Sequence, residues 1–339
     1  MGTSRLAKVF GCALAIGAAA LAAQPALAEC KIAQIAEFAV DSRGNQPVID
    51  GQINGQPIKV LIDTGAVVTL IWRDAAVRLG LPLTNASQAD FYGVGGATQA
   101  RTVEVNDLRL GRFDHGRIRL WVAGERPLGR RDVALVLGQD FLSQVDVEFD
   151  LPDNVIRLLQ PKDCQIGQLP YWAKSYSQAD LQSLDLNDLH LTTVVKLNGK
   201  PLLATLDTGA PTSVVTLEAA ATAGLTPASA GVTPMETQGG VGANRVASWI
   251  GVFESLVLGD ETIRNPKLRI ADLFRYSKTG EGASRIPVQI MGSSTMLIGA
   301  DFFRSHRVLV SPSRHVMVFT YSGGPVFQAI GPEGGSAAK

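Results

Sequence analysis

The sequence predicts an all-β protein of two homologous halves, and three features carry that expectation. Short apolar runs rich in Val, Ile and Leu alternate with turn residues, and the chain holds 35 Gly and 17 Pro, a pattern typical of many short strands. The triplet Asp-Thr-Gly occurs twice, at Asp63-Thr64-Gly65 and Asp207-Thr208-Gly209, each closing an apolar run. The surroundings repeat in the same register: Ile53–Gly65 and Leu197–Gly209 agree at six of thirteen positions. Gly80-Leu81 maps onto Gly224-Leu225 at the same spacing, Gly93-Val94-Gly95 onto Gly240-Val241-Gly242, and Leu137-Gly138-Gln139-Asp140-Phe141 onto Ile298-Gly299-Ala300-Asp301-Phe302. Order is kept while spacing grows steadily, which marks a duplicated domain rather than an array of short repeats. Most of the growth falls between Asp272 and Thr295, so a longer loop is expected in the second half.

The first 28 residues read as an export signal. Arg5 and Lys8 form a basic start, Phe10–Ala23 is apolar, and Ala26-Leu27-Ala28 is a small-x-small cleavage site. The mature chain is therefore expected to be exported, periplasmic or secreted, with no membrane span after cleavage. Loss of Arg5 and Lys8 from balanced totals of 31 basic and 31 acidic residues leaves it slightly acidic. It has no basic field to attract nucleic acid or anionic lipid. Cys12 departs with the signal. Cys30 and Cys164 remain, and an oxidising compartment makes a disulfide between them a possible tie from the mature N-terminus to the end of the first half. Two separate buried thiols are the alternative.

Residues 29–160 form the first expected lobe, 161–186 a connector, 187–322 the second lobe and 323–339 a tail with little to bury. Within the first lobe, Val48–Ile53 leads into Asn54-Gly55, a strong hairpin signal, and Ile58–Ile62 runs into the first triplet. Arg73–Leu79 reads as a short helix stopped by Gly80. Val133–Leu137 reads as a buried strand. The second lobe repeats each element: Leu191–Leu197, Asn198-Gly199, Leu202–Leu206, a helix over Glu218–Ala223 stopped by Gly224, and a strand at Met296–Ile298. Asp140 and Asp301 follow these last strands and are expected to cap brief helices.

Each residue of the triplet has a physical task. Asp supplies a carboxylate, Gly permits close approach of a second backbone because it lacks Cβ, and Thr offers a hydroxyl that can brace its loop against the twin. Two such loops face to face bring two carboxylates within a few ångström, where both cannot ionise easily. The pair then holds one proton, and its titration belongs to both members. Such a pair suits general acid–base hydrolysis with no covalent intermediate. Other chemistries lack support. Gly93-Val94-Gly95-Gly96 has no strand–loop–helix context or Lys-Ser/Thr ending for a phosphate loop. His115, His190, His306 and His315 are scattered, so no metal site is expected. There is no Gly-x-Ser-x-Gly elbow, and no cofactor is expected.

On Ile62-Asp63-Thr64-Gly65-Ala66, Leu206-Asp207-Thr208-Gly209-Ala210, the glycine-rich segments Gly93–Gly96 and Gly239–Gly242, and the apolar-apolar-Gly-x-Asp segments at Leu137 and Ile298, the chain resembles the aspartic proteases of the pepsin and retroviral protease type. It is most similar to exported bacterial members with two retropepsin-like lobes in one polypeptide. The resemblance implies two closed β-barrel lobes related by a pseudo-twofold axis, a cleft between them for a peptide or protein substrate, and a monomeric aspartic endopeptidase. It implies that Asp63 and Asp207 are the catalytic pair and that Thr64 and Thr208 hydrogen-bond across to the opposite loop, with Gly65 and Gly209 completing each loop. It also implies flap tips near Gly93, Gly95, Gly96, Gly240 and Gly242. A catalytically silent peptide-binding protein of the same architecture is the competing expectation. The chain departs from pepsins at Ala66 and Ala210, where a hydroxyl would donate to a carboxylate. That missing donor should raise the pair's pKa and give a milder acidic optimum. Tyr92, beside Gly93, reads as a buried strand aromatic.

Overall fold

The computed structural model describes residues 29–125, 130–182, 189–273, 275–276, 287–289 and 295–327. The expected export signal and most of the expected tail lie outside the described residues.

Two barrel-like lobes stand on a shared sheet. In the first lobe, strand Val48–Ile53 turns through Asn54 and Gly55, both at positive φ (50° and 77°), into strand Gln56–Ile62. That is the left-handed pair which a two-residue hairpin requires and which Asn-Gly adopts at little cost. Gln56–Ile62 then pairs in parallel with Val133–Leu137, which pairs with Leu70–Ile71, then Phe113–Val122, then the long strand Gly96–Leu110. Gly96–Leu110 returns to Val48–Ile53 through Gly51↔Leu110 and Ile53↔Leu108, closing a barrel of six strands. Gly51 sits where the barrel wall is tight, since a Cβ there would lie 2.9 Å from Val60 Cγ2.

The second lobe repeats the path. Thr192–Leu197 turns through Asn198 and Gly199 (φ 47° and 75°) into Lys200–Asp207. This strand lies parallel to Met296–Gly299, which continues through Val214–Thr216 and Lys267–Ala271 to Val246–Val252. Here the long strand of the first lobe is broken in two. Val246–Val252 passes through Phe253-Glu254 into Ser255–Leu258, which returns to Thr192–Leu197. The expected short helices form at Arg73–Arg78 and Leu217–Thr222, each followed two residues later by a glycine at positive φ, Gly80 (65°) and Gly224 (95°).

Beneath both lobes runs a six-stranded antiparallel sheet in the order Lys31–Ala39, Val155–Lys162, Asp146–Asp150, His306–Ser311, Val316–Tyr321, Ser177–Asp180. Half its strands come from each side of the molecule, and the lobes meet where Phe149 pairs with Val308. The segment expected as a connector therefore contributes structure: Ser177–Asp180 is the sheet's outer strand, paired with Val316–Tyr321. At the other edge Cys30 and Cys164 form a disulfide, with Cα atoms 4.3 Å apart.

One core of Val, Ile, Leu and Phe runs through both lobes and into the sheet, with smaller apolar clusters beside it. Phe149 packs edge-on against Phe303 at 5.2 Å across the lobe boundary, a geometry that the ring quadrupole favours. The sheet also carries charge. Glu148 and Asp150 are buried and face Arg157 and Arg307, with Arg157 Nη1 and Arg307 Nη2 at 2.6 and 2.8 Å from Glu148 Oε1. Burial of the two carboxylates is sustained by two partners each, the condition under which buried charge persists.

Candidate active site

Each triplet sits at the end of a barrel strand in a tight loop. Asp63 N donates to Leu137 O at 3.0 Å, which ties the first loop to the neighbouring parallel strand. Gly138 and Gly299 sit beside these loops because nothing larger fits. A Cβ at Gly138 would lie 2.7 Å from Ala66 O, and one at Gly299 would lie 2.5 Å from Thr212 C. The loops are then stitched on by Gln139 N to Ala66 O and Ala300 N to Ala210 O, both 2.8 Å.

The two loops brace one another through their threonines, which are almost fully buried. Thr64 Oγ1 donates to Leu206 O at 2.7 Å and accepts from Thr208 N at 3.0 Å. Thr208 Oγ1 donates to Ile62 O at 2.7 Å and accepts from Thr64 N at 3.1 Å. Four bonds arranged as a reciprocal set fix one loop relative to the other, and no hydroxyl or amide of the set is left unpaired.

This bracing sets the two carboxylates opposite one another. A Cβ at Gly65 would lie 2.5 Å from Asp207 Cγ, and one at Gly209 would lie 2.6 Å from Asp63 Oδ1. Glycine is required at both positions because each carboxyl group occupies the space beside the opposite loop. Asp63 Oδ1 accepts from Gly65 N at 2.8 Å and Ala66 N at 3.2 Å; Asp207 Oδ1 accepts from Ala210 N at 2.9 Å. Burial pushes the Asp63 carboxyl up, opposed by the N–H groups of Gly65, Ala66 and Gly209 and by its hydrogen bond with Asp207. Asp207 is pushed well above the usual carboxylate range by burial and then by the charge of Asp63. Two acids set this close in a buried site do not readily both ionise.

Asp140 and Asp301 do not cap helices. The capping positions are Gly138 and Gly299, and the short helices span Gln139–Leu142 and Ala300–Ser305. The two acids instead hold the chain just beyond each triplet. Asp140 accepts from Thr69 N (2.9 Å) and Thr69 Oγ1 (2.7 Å), and that hydroxyl accepts from Gly138 N (3.0 Å). Asp301 repeats the arrangement with Ser213 N (2.9 Å) and Oγ (2.7 Å), and Gly299 N donates to Ser213 Oγ at 2.9 Å. The copies differ in exposure. Asp301 is buried, which lifts its carboxyl to about 7 against the pull of the Ser213 donors.

The glycine-rich segments form two hairpin tips that meet one another. Strands Thr84–Gly93 and Gly96–Leu110 make the first flap; Thr233–Gln238 and Val246–Val252 make the second. Gly95 bridges to Gly242, and Gly95 N donates to Val241 O at 2.9 Å. Close approach explains the glycines, since a Cβ at Gly93 would lie 2.9 Å from Val241 O, and one at Gly240 3.3 Å from Val94 Cβ. Gly96 is at φ 98° and Gly242 at 105°, backbone that favours glycine. Tyr92 is a buried aromatic of the first flap strand. Val94, at the first tip, packs into an apolar cluster of the second lobe with Val214, Val246, Ala271, Leu273 and Leu297.

Three contributors escape the motif reading. Asn244 donates its backbone N and its Nδ2 to Gly95 O, both at 2.9 Å, so the second flap grips the first from one side. Gln139 is fully buried and donates Nε2 to Thr64 O at 2.9 Å; the second lobe has Ala300 in its place. Gln46 donates Nε2 to Gly209 O at 2.6 Å from the opposite lobe. The only signal in the sequence is positional. Gln46 stands just before the Pro47-Val48 start of a repeated strand, at the spacing that places His190 before Leu191.

A family model described as "Aspartyl protease" matches residues 49–141 and again 193–302, once in each lobe. Over 118 residues the chain is 30% identical to the UBA domain-containing protein Mud1 of Schizosaccharomyces pombe, a match that covers 32% of this chain and 32% of Mud1. The chain thus spans about a third of that relative's length. Among solved structures, a retropepsin-like aspartic protease from Rickettsia conorii aligns at 20% identity over 39% of this chain and 95% of its own, with a TM-score of 0.27. The aspartic proteinase from Irpex lacteus aligns at 12% identity over 84% of this chain and 97% of its own, with a TM-score of 0.49.

Proposed function

Since the chain belongs to the aspartyl protease family, we propose that it is an aspartic endopeptidase in which Asp63 and Asp207 activate one water between them. The observation that carries this reading is the reciprocal threonine bracing, which sets each carboxyl group against the glycine of the opposite triplet. In the proposed step the ionised member takes a proton from water while the protonated member hydrogen-bonds the scissile carbonyl and then protonates its oxygen. The water oxygen bonds to the carbonyl carbon, giving a gem-diol. The acid that took the water's proton then delivers it to the departing nitrogen while the other takes a proton back from a gem-diol hydroxyl. The C–N bond breaks, the pair regains its single proton, and no acyl-enzyme forms. Hydrogen bonds from Gly65, Ala66 and Ala210 hold both carboxyl groups in place without recruiting a side-chain hydroxyl.

The substrate class is an extended peptide lying beneath both flap tips, paired to strand edges through its main chain. Apolar side chains beside the cut bond accord with the family to which the chain belongs. Both triplets lie on one polypeptide, so the active form is a monomer. Residues 1–28 direct export, to a periplasm or beyond the cell.

Cleavage of a peptide library by the mature chain between pH 3 and 7, with and without a statine-type inhibitor, tests the reading. The expected result is inhibitor-sensitive endoproteolysis with a bell-shaped pH profile. Tight inhibitor binding with no cleavage of any peptide would instead identify a silent binder. Activity that keeps rising down to pH 3, with no acid limb, would contradict the raised pair that Ala66 and Ala210 leave without hydroxyl donors.

A further inference from the structure

The loop bearing Asp207 is held from outside its own lobe. Gln46 Nε2 donates to Gly209 O at 2.6 Å, and the adjacent Asn45 Nδ2 donates to Pro211 O at 3.1 Å. Both donors belong to the segment leading into the first strand of the first lobe, and that segment is itself anchored. Asp41 pairs with Arg43 at 2.6 Å and Arg130 at 3.0 Å, and exchanges backbone hydrogen bonds with Val48 at 2.7 and 3.1 Å. From the second lobe, Arg304 Nη1 donates to Ser42 Oγ at 2.8 Å. Gln46 therefore reaches across from a fixed base.

Its acceptor is half of a peptide group whose other half touches Asp207. The carbonyl of Gly209 and the N–H of Ala210 lie in one rigid plane, and that N–H donates to Asp207 Oδ1 at 2.9 Å. A hydrogen bond accepted by the carbonyl sets the plane's orientation and polarises the N–H at its far side. The first loop's corresponding bond, Ala66 N to Asp63 Oδ1, is longer at 3.2 Å. The residue in the matching place is His190, set by the paired contacts Ile62 N to Pro47 O and Leu206 N to Leu191 O, at 3.0 and 2.9 Å. The matching positions of the two lobes thus carry unlike side chains.

We propose that Gln46 is a positioning residue for Asp207, acting through the Gly209–Ala210 peptide to orient the N–H that is hydrogen-bonded to its carboxylate. The inference rests on the proposed catalytic role of the pair. Gln46→Met keeps the length of the side chain and removes the donor. Gln46→Glu can donate only when protonated. In Gln46→Met, kcat should fall about tenfold, the loss of roughly one hydrogen bond, with KM within about twofold. The titration of Asp207, read by carboxyl carbon NMR, should move to higher pH because its charged form has lost support. Gln46→Glu should match Gln46→Met near neutral pH and recover towards wild type as its own carboxyl protonates.

Superimposable pH profiles and NMR titrations for wild type and Gln46→Met would overturn the inference, as would an acid recovery shared equally by both variants. The NMR titration needs no turnover. Absence of peptide cleavage by the wild type would therefore count against the proposed function, while the Asp207 titration would still decide the role of Gln46.

Discussion

At the scale of single residues, the site is governed by how two acids share limited space. Asp63→Asn or Asp207→Asn should each lower peptide turnover by about a thousandfold or more, in line with the contribution of a lost acid–base group, measured as kcat/KM. The same variants carry a stability signature. Both carboxyls are pushed above their unfolded values by burial, and Asp207 also by its neighbour. Their stabilising contribution is therefore complete below the unfolded carboxylate pKa and is lost as pH rises through the folded values. Melting temperature should thus favour Asp207→Asn over wild type increasingly as pH rises through that range, and thermal scans across pH check the sign. A wild type that gained stability relative to Asp207→Asn on alkalinisation would rule out a raised pair. The two acids were legible in the sequence because their chemistry lies in their identity and in the repeated triplet. Asp140 and Asp301 were not, because the helix boundary that decides between a cap and a brace falls at Gly138 and Gly299. Gln46 was invisible for a different reason: its acceptor lies 163 residues away, a separation that no local pattern encodes.

At the scale of elements, the hairpins divide into those that the sequence specifies and those that tertiary contact completes. Asn54-Gly55 and Asn198-Gly199 name their own turn type, and strands flank both. The flaps were legible only as glycine-rich segments, because what holds them is each other. Asn244 supplies two of the tip contacts, and Gly95 N of the first flap returns one to Val241 O. Asn244→Ala should raise the association rate of a statine-type inhibitor several-fold and speed amide exchange at the first flap tip. The melting temperature should shift little, since exposed polar contacts contribute about 1 kcal/mol or less. An unchanged association rate would show that the tips part without breaking this grip. The longer loop between Asp272 and Thr295 also finds a place at this level. Its residues Pro287–Gln289 pair in parallel with Asp90–Tyr92, adding a strand from the second lobe to the outer edge of the first flap. The sequence located the extra length by the drift in spacing, but three residues carry too little pattern to announce a strand.

At the scale of the whole molecule, the duplication was legible and the way its copies are joined was not. The repeat and the turn chemistry specify two similar lobes. The sheet beneath them needs pairing between strands far apart in sequence, and the stretch expected to be a plain connector supplies one of its edges. Fixing the opposite edge, the disulfide closes a separation of 134 residues. Replacing both cysteines by serine should cost about 5 kcal/mol of unfolding free energy by the loop-entropy argument. Urea titration of the variant, and of wild type under reducing conditions, measures it. A loss confined to the reduced wild type would place the effect in thiol chemistry rather than in chain constraint. The shared sheet has a mechanical consequence as well. With Asp146–Asp150 zipped to His306–Ser311 and Phe149 set against Phe303, the floor of the molecule is tied across the lobe boundary. On the proposed peptide-cleaving reading, room for an incoming chain would come from lifting the roof, and the resistance of the flap tips would set how readily the door opens.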